Sequence, residues 1–437
     1  MNSVEIANFS PILLLEVDLS QPLSDMCLVH PSSEKQYTRA QLLVRIHTSP
    51  IGYIHIENPS GELNAAMLSQ LIWDKLQPEI THYLKENNLP VIDRLGTSGL
   101  SKMNIPSYIQ AREQLLHDAP FVSVVVTTHN RPDSLEETLC SISGAKYPQF
   151  EIVIVDNAPS NDDTTELVRR LSSKVKNLRY IREDRVGLCW ARNCGLKAAQ
   201  GVITVFTDDD VLVDPDWLTA LVQGFNNGDN VACVTGLILP RELETPAQVW
   251  CEEHGGFGKG FSLQIFDLTT HRPDDPLFPY RLSMFGSGAN MGFKTDVLRQ
   301  IGGCDPALGA GTPTRSAAEF PAFYNVIMNN YQIVYRPDAI VYHSHHKQYE
   351  RFRRQFYGYG VGFTAFLTKS IIENPRNIFG LLQRLVYGLF FIFSPMSPRH
   401  AKKEADYPKE LNRLELLGML YGPLAYFRSM YLVRKNN

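Results

Sequence analysis

TVFTDDDVLVDPD, residues 204–216, sets an apolar run directly against three consecutive carboxylates, Asp208, Asp209 and Asp210. Val202, Ile203, Val205 and Phe206 have the β-branched and aromatic make-up of a buried parallel strand, and ligands of open α/β sheets bind beyond the carboxyl ends of such strands. Alternate residues of an extended chain share one side, so Asp208 and Asp210 can converge on a hard divalent cation while Asp209 faces away. A cation held there could carry a diphosphate. The same letters also fit a solvated loop before a helix: Asp214-Pro215-Asp216 reads as an N-cap, an N1 proline and a first-turn acid, although that cap needs only Asp214.

Towards the N-terminus of this stretch, strand, polar turn and helix alternate: 122–127 then 133–142, 151–155 then 164–171, 178–181 then 191–199, and then the strand that ends in Asp208. That alternation predicts an α/β fold with a doubly wound sheet. The first strand empties into THNRP (128–132) with no glycine-rich turn, which excludes the GxGxxG unit of dinucleotide- and methyl-donor-binding domains. Asp156 closes the second strand, where a carboxylate can accept hydrogen bonds from a nucleobase or cap the next helix.

Four stretches, in order, carry a resemblance: VSVVVTTHNRPDSLEETL (122–139), FEIVIVDNAPSNDDT (150–164), REDRVGLCWARNCGLKAAQGVITVFTDDDV (182–211) and IGGCDPALGAG (301–311). Together they resemble a family-2 glycosyltransferase of the GT-A fold, inverting and nucleotide-sugar dependent, over 121–345. The resemblance implies a nucleotide-sugar donor across the switch point of the sheet, with Thr127, Thr128, Asn130 and Arg131 around the nucleoside and Asp156 on the base. It places Arg192 and Asn193 beside the ribose and diphosphate. Asp208 and Asp210 match its DXD motif, the first near the ribose or metal and the second a ligand of Mn²⁺ or Mg²⁺. Its acceptor-side segment matches FGSGANMGF (285–293) and makes Asn290 a sugar contact. The family sometimes adds a histidine to the metal shell, here His343 of IVYHSHHK (340–347).

Displacing a nucleoside diphosphate from an anomeric carbon leaves negative charge for a metal to neutralise, and the acceptor hydroxyl needs a carboxylate base on the opposite face of the sugar. Similar sequences supply that base from a Glu-Asp pair after a GGFD-like loop. This chain has Ala318-Glu319 there, which makes Glu319 the base, one methylene longer than usual. A one-residue shift of the alignment would put Phe320 in the base position instead. Asp305, before Pro306, reads as a turn residue. A second glycine-rich stretch, GGFGKGF (255–261), fits an acceptor loop or simple turns. Two function classes follow: a glycosyltransferase moving a hexose or deoxyhexose to a saccharide or lipid-linked saccharide in surface-polysaccharide or glycolipid assembly, and a catalytically weak binder of glycans or nucleotide sugars. A nucleotidyltransferase is disfavoured, because the first strand lacks a glycine-rich basic turn for a triphosphate.

The rest of the chain frames this domain. With 437 residues, 44% hydrophobic, it can bury the cores of two or three domains, and its net charge of −4 gives no reason to expect nucleic acid. Seven cysteines without zinc-finger spacing and an N-terminus unlike a signal peptide favour the cytoplasm. Residues 1–118 read as a small α+β module, with a hairpin whose strands, 42–46 and 53–56, flank Ser49-Pro50-Ile51-Gly52, followed by an amphipathic helix. Residues 119–346 are the catalytic domain. Residues 347–437 read as helices, and YGYGVGF (357–363) suggests close packing. The apolar run around 377–396 is broken by Gln383 and Arg384, too short to span a membrane. Basic flanks at 351–354 and 399–403 are compatible with a peripheral contact on the inner membrane face, with a core helix as the simpler reading. The oligomeric state is not legible.

Overall fold

The computed structural model describes residues 9–28, 37–57, 62–394, 397 and 407–436. The N-terminal module contains β1 (Ile12–Asp18), β2 (Met26–Cys27), β3 (Arg39–Ile46), β4 (Ser49–Glu57), β5 (Glu62–Leu63), α1 (Ala65–Glu86) and α2 (Ser107–His117). Its sheet runs β1-β3-β4, with β1 parallel and β4 antiparallel to β3. Leu68, Ile72, Ile80 and Leu84 of α1 bury the expected stripe against Leu42, Val44 and Ile54. The hairpin turns two residues earlier than its sequence suggests. His47 adopts a positive φ of 54° and Ser49 already pairs with Ile46, so Pro50 lies inside β4. That strand is at the edge of its sheet, where a missing N–H breaks no ladder.

From 122 the chain builds β6 (Val122–Thr128), α3 (Pro132–Ser143), β7 (Phe150–Asn157), α4 (Asp163–Leu171), β8 (Leu178–Glu183), α5 (Leu188–Ala198) and β9 (Ile203–Asp208). These four strands are parallel in the order β8-β7-β6-β9. The order reverses between β6 and β9, which puts the ligand crevice at their carboxyl ends. The mixed half follows with β10 (Val211–Val213), α6 (Trp217–Gly224), β11 (Val231–Pro240), α7 (Pro246–Glu253), β12 (Gln264–Phe266), β13 (Met291–Lys294), α8 (Thr295–Gln300), α9 (Phe320–Met328) and β14 (Gln332–His343). The full sheet runs β10-β14-β11-β13-β9-β6-β7-β8, with β12 on β14, and β13 antiparallel to both its neighbours. This is the α/β doubly wound architecture expected from the sequence, extended by an antiparallel insertion that the alternation did not reveal. The cap of α6 also differs. Asp216 occupies the N-cap, while Asp214 accepts from the Asp216 N–H and turns its other oxygen to Arg45.

The α2–β6 junction spans the expected domain boundary, but the two parts are joined by buried charge. Arg45 on β3 meets Asp214 at 2.8 Å, and Arg112 on α2 meets Asp338 at 2.7 Å, all four side chains being nearly inaccessible. At the other end lie α10 (Tyr349–Glu373), α11 (Asn377–Phe393) and α12 (Lys409–Asn436). Phe352, Phe356, Val361 and Phe366 of α10 are fully buried, so α10 is a core element, whereas α11, which carries the apolar run, leaves Phe379, Leu382, Leu385 and Val386 exposed and is not a core helix. α10 crosses α12 at near backbone contact: a Cβ on Gly360 would collide with the Glu415 carbonyl, and one on Gly418 with that of Tyr357. Among the described residues no helix is long and apolar enough to cross a membrane, and the basic flank at 399–403 lies outside them.

Candidate active site

Sheet register assembles the site. Thr127 pairs with Asp208 across β6 and β9, Thr128 with Asp156 across β6 and β7, and Val211 with His343 across β10 and β14. Strand pairing therefore brings four separate chain segments to one edge of the sheet, and each carries a residue expected from sequence.

The three carboxylates take different partners. Asp208 accepts from Arg192 Nη2 at 3.1 Å. Asp209 is buried, accepting from Thr128 Oγ1 at 2.7 Å and Arg131 Nη1 at 3.2 Å. Burial, with Asp210 beside it, pushes the Asp209 carboxyl up to about 6. Asp210 keeps partial exposure, accepts from Arg131 Nη1 at 3.0 Å and lies 3.5 Å from His343 Nε2. Arg131 thus bridges two adjacent acids that would otherwise repel each other.

His343 belongs to a chain of contacts. Its Nδ1 lies 2.9 Å from Nδ1 of His345, whose Nε2 is 2.7 Å from Glu252 Oε1 on α7. Phe257 packs over both imidazoles, at 5.2 and 5.5 Å between centroids, which gives GGFGKGF a packing role. Burial lowers the His343 pKa and favours its neutral form. A proton on His345 Nε2 facing Glu252 makes His345 Nδ1 an acceptor. His343 then carries its proton on Nδ1, and its Nε2 lone pair faces Asp210. Glu252 was invisible in the sequence; it stands 93 residues from its partner.

Among the described residues no three His, Cys, Asp or Glu side chains are assembled to hold a metal, so Asp208, Asp210 and His343 are not a preformed cage. The pair Asp210–His343 supplies one oxygen and one nitrogen donor beside solvent. Such a set fits a divalent cation that completes its shell with diphosphate oxygens and water.

Glu319 is the N-cap residue of α9, yet its carboxylate makes no capping bond there and retains some solvent access. Burial raises its pKa, opposed by the charge of Arg192. The loop leading to it is strained: Arg315 and Ala317 both adopt φ of 67°, a left-handed conformation that costs roughly 1–2 kcal/mol for a residue with a Cβ. Ala318 is buried with Cys189 and Cys304, where a longer acid would not fit, and Phe320 packs edge-on against Phe366 at 5.9 Å. Of these neighbouring positions only Glu319 offers a carboxylate. Asp305 accepts from the Ala307 N–H, as expected of a turn residue, and from Tyr426.

Several expectations are corrected. Asn290 is not available to a sugar: it is fully buried, donates to the carbonyls of Leu237 and Ala339 and accepts from Trp217 Nε1 at 2.8 Å. It stitches β11, β14 and α6 together. Asn193 clamps the backbone of Cys304, donating to its carbonyl at 2.7 Å and accepting from its N–H at 2.9 Å, so it positions the GGCD loop instead of facing a donor. Arg192 is 2% exposed and lies beneath the site, holding Asp208 and the Gly288 carbonyl, with Nη1 buried and unpartnered. Gly288 is required there, because a Cβ would stand 2.6 Å from the guanidinium. Asp156 is inaccessible under Tyr180, which donates to Oδ2 at 2.9 Å, while Oδ1 has no partner. A base reaches it only if neighbouring side chains move. Thr128 gives its hydroxyl to Asp209, whereas Asn130 and Arg131 remain on the open rim.

Residues 123–302 match the family model Glycosyl transferase family 2. Among curated relatives, a glucosyl-dolichyl phosphate glucuronosyltransferase of Haloferax volcanii is 25% identical over 232 residues, 51% of this chain and 69% of that protein. The glycosyltransferase AglE of the same organism is 34% identical over 102 residues, 23% of this chain and 33% of its own length. A dolichol-phosphate mannosyltransferase of Pyrococcus furiosus is 37% identical over 114 residues, 25% of this chain and 32% of that one. Among solved structures, a mannosyltransferase of Pyrobaculum calidifontis in complex with GDP-Man and Mn²⁺ aligns with a TM-score of 0.41 and 20% identity, covering 75% of this chain and 81% of that one. The family match spans the parallel strands, the acidic end of β9 and the antiparallel insertion, so residues 123–302 form a family-2 glycosyltransferase domain.

Proposed function

We propose that this chain transfers a sugar, with inversion, from a nucleoside-diphosphate sugar to a saccharide or lipid-linked saccharide acceptor. The observation that carries the reading is that one buried guanidinium, Arg192, pairs with Asp208 and lies within the electrostatic reach of the Glu319 carboxylate, while Asp210, two residues on, faces His343. Asp210 and His343 would hold Mn²⁺ or Mg²⁺, which when bound supplies charge neutralisation for the departing diphosphate. Asn130 and Arg131, on the rim, would receive the nucleoside, and Arg131 would exchange its bond to Asp210 for contact with the donor. Arg192 orients Asp208 and lowers the cost of carrying a second carboxylate, Glu319, in the same buried region.

Glu319 takes the proton from the acceptor hydroxyl as the acceptor oxygen bonds to the anomeric carbon and the bond to the diphosphate oxygen breaks. A raised pKa suits this task, since a base is most effective when its pKa approaches the working pH. The lipid-linked acceptor class is supported by the dolichyl-phosphate names of two relatives. The test is a panel of nucleotide sugars with Mn²⁺. Ligands that bind the folded state should raise the melting temperature, and those that do should then be hydrolysed or transferred. Stabilisation without hydrolysis or transfer to any acceptor would assign the chain to the nucleotide-sugar binders instead.

A further inference from the structure

Among the described residues, large apolar side chains at the surface are concentrated in one region: of 21 that are exposed, 14 lie between 372 and 432. On α11, Phe379, Leu382, Leu385, Val386 and Leu389 form one stripe, with Val386 79% exposed. On α12, Leu417, Leu420, Leu424, Phe427 and Tyr431 recur at helical spacing along a second stripe, with Leu420 80% exposed. These helices are anchored to the rest of the molecule on other sides. α11 is fixed to the catalytic domain by Arg384, whose Nε donates to the Phe278 carbonyl at 2.9 Å, and by Arg281 over the ring of Phe391 at 4.8 Å. α12 is locked to α10 at Gly418 and Gly422.

Charge around the stripes selects the occupant. Arg376 is exposed at the start of α11, and Lys409, Arg413, Arg428, Arg434 and Lys435 are exposed on α12, against a single exposed acid on the two helices, Glu410. A two-fold dimer through this face would bring the same basic groups towards their own copies, which is unfavourable. Anionic headgroups around a hydrocarbon boundary complement both the stripe and its rim. We infer that α11 and α12 form a docking surface for the headgroup–acyl boundary of an anionic lipid leaflet, into which the two stripes insert without spanning it. α11 is linked to the helix behind the proposed base: Arg384 lies over the ring of Tyr280 at 5.6 Å, and Tyr280 stacks at 5.8 Å on Tyr324 of α9, the helix that begins after Glu319. If the acceptor is lipid-linked, as the proposed function has it, docking would bring the leaflet that holds its tail to the base.

The experiment is flotation of the full chain with phosphatidylcholine vesicles, with and without phosphatidylglycerol, in the absence of donor and metal. It therefore reads docking separately from catalysis. The wild type should float with the anionic vesicles, and Val386→Glu/Leu420→Glu should weaken partitioning by at least about tenfold with unchanged size in solution. Arg434→Glu/Lys435→Glu, which leaves both stripes intact, should lose the preference for anionic over neutral vesicles. A wild type that floats with neither vesicle, or stripe variants that float as it does, would overturn the inference. A wild-type dimer that ignores vesicles and dissociates in Val386→Glu/Leu420→Glu would assign the face to a second copy.

Discussion

Glu319 and Asp210 carry separable parts of the proposed reaction, and their substitution should separate them in measurement. Glu319→Gln keeps the size of the side chain but replaces one acceptor oxygen by an NH2 donor and cannot take the acceptor's proton. Turnover at saturating substrates should fall by at least ~10²-fold with donor affinity little changed. Wild-type transfer by this variant would remove the base role. The sign of its pH dependence follows from burial, which raises the Glu319 pKa. The working form is the carboxylate, so kcat should drop as pH falls through a value above the ordinary glutamate range, and Glu319→Gln should lack that limb. Asp210→Ala, in contrast, should abolish the metal-dependent part of nucleoside-diphosphate binding measured by calorimetry. Affinity that stayed at the wild-type level and ignored EDTA would exclude a metal on Asp210. Asp210 was legible because it stands at a strand end. Asn290 was misread because a side-chain amide in a glycine-rich stretch looks the same in sequence whether it faces a sugar or satisfies buried carbonyls.

Secondary-structure elements decide which groups reach the site. α7 brings Glu252 to His345 and, through it, fixes the tautomer of His343. Glu252→Gln should therefore weaken Mn²⁺ binding in the presence of nucleoside diphosphate by roughly 10–100-fold, the usual effect of losing a group that orients a ligating histidine. Titration of Mn²⁺ by its paramagnetic resonance signal checks this, and unchanged affinity would mean that His343 is no ligand or needs no orientation. The crossing of α10 and α12 makes a different demand. Gly360→Ala would drive a methyl into the Glu415 carbonyl, so the helices must separate, at a cost of about 1–3 kcal/mol or more in chemical denaturation. A Gly360→Ala protein as stable as the wild type would show that the contact relaxes freely. The glycines of YGYGVGF signalled close packing in the sequence, but not which helix they pack against.

At the scale of the whole molecule, buried ion pairs join the N-terminal module to the catalytic sheet. Asp338 receives Arg112 from the module at 2.7 Å and Arg336 from its own strand at 2.6 Å, and these two charges hold its carboxyl below the usual carboxylate range against its burial. Asp338→Ala leaves two guanidiniums buried without their anion and should cost about 3–5 kcal/mol, seen as a lower denaturant midpoint. A loss below about 1 kcal/mol would indicate that water or another acid replaces the carboxylate.

The sequence by itself determined the parallel strands β6 to β9, the helices between them and the acidic cluster at the end of β9. Those features are local: a β-branched run, a polar turn and a 3.6-residue period reach no further than the element they describe. Tertiary structure alone decided what met across the sheet. The antiparallel insertion of β13 beside β9, the Glu252–His345 contact and the use of Asn193, Arg192 and Asn290 beneath the site join residues between 16 and 111 positions apart. Such contacts exist only when register and packing bring strands together, and a side chain's pattern along one strand carries no trace of its neighbour on the next.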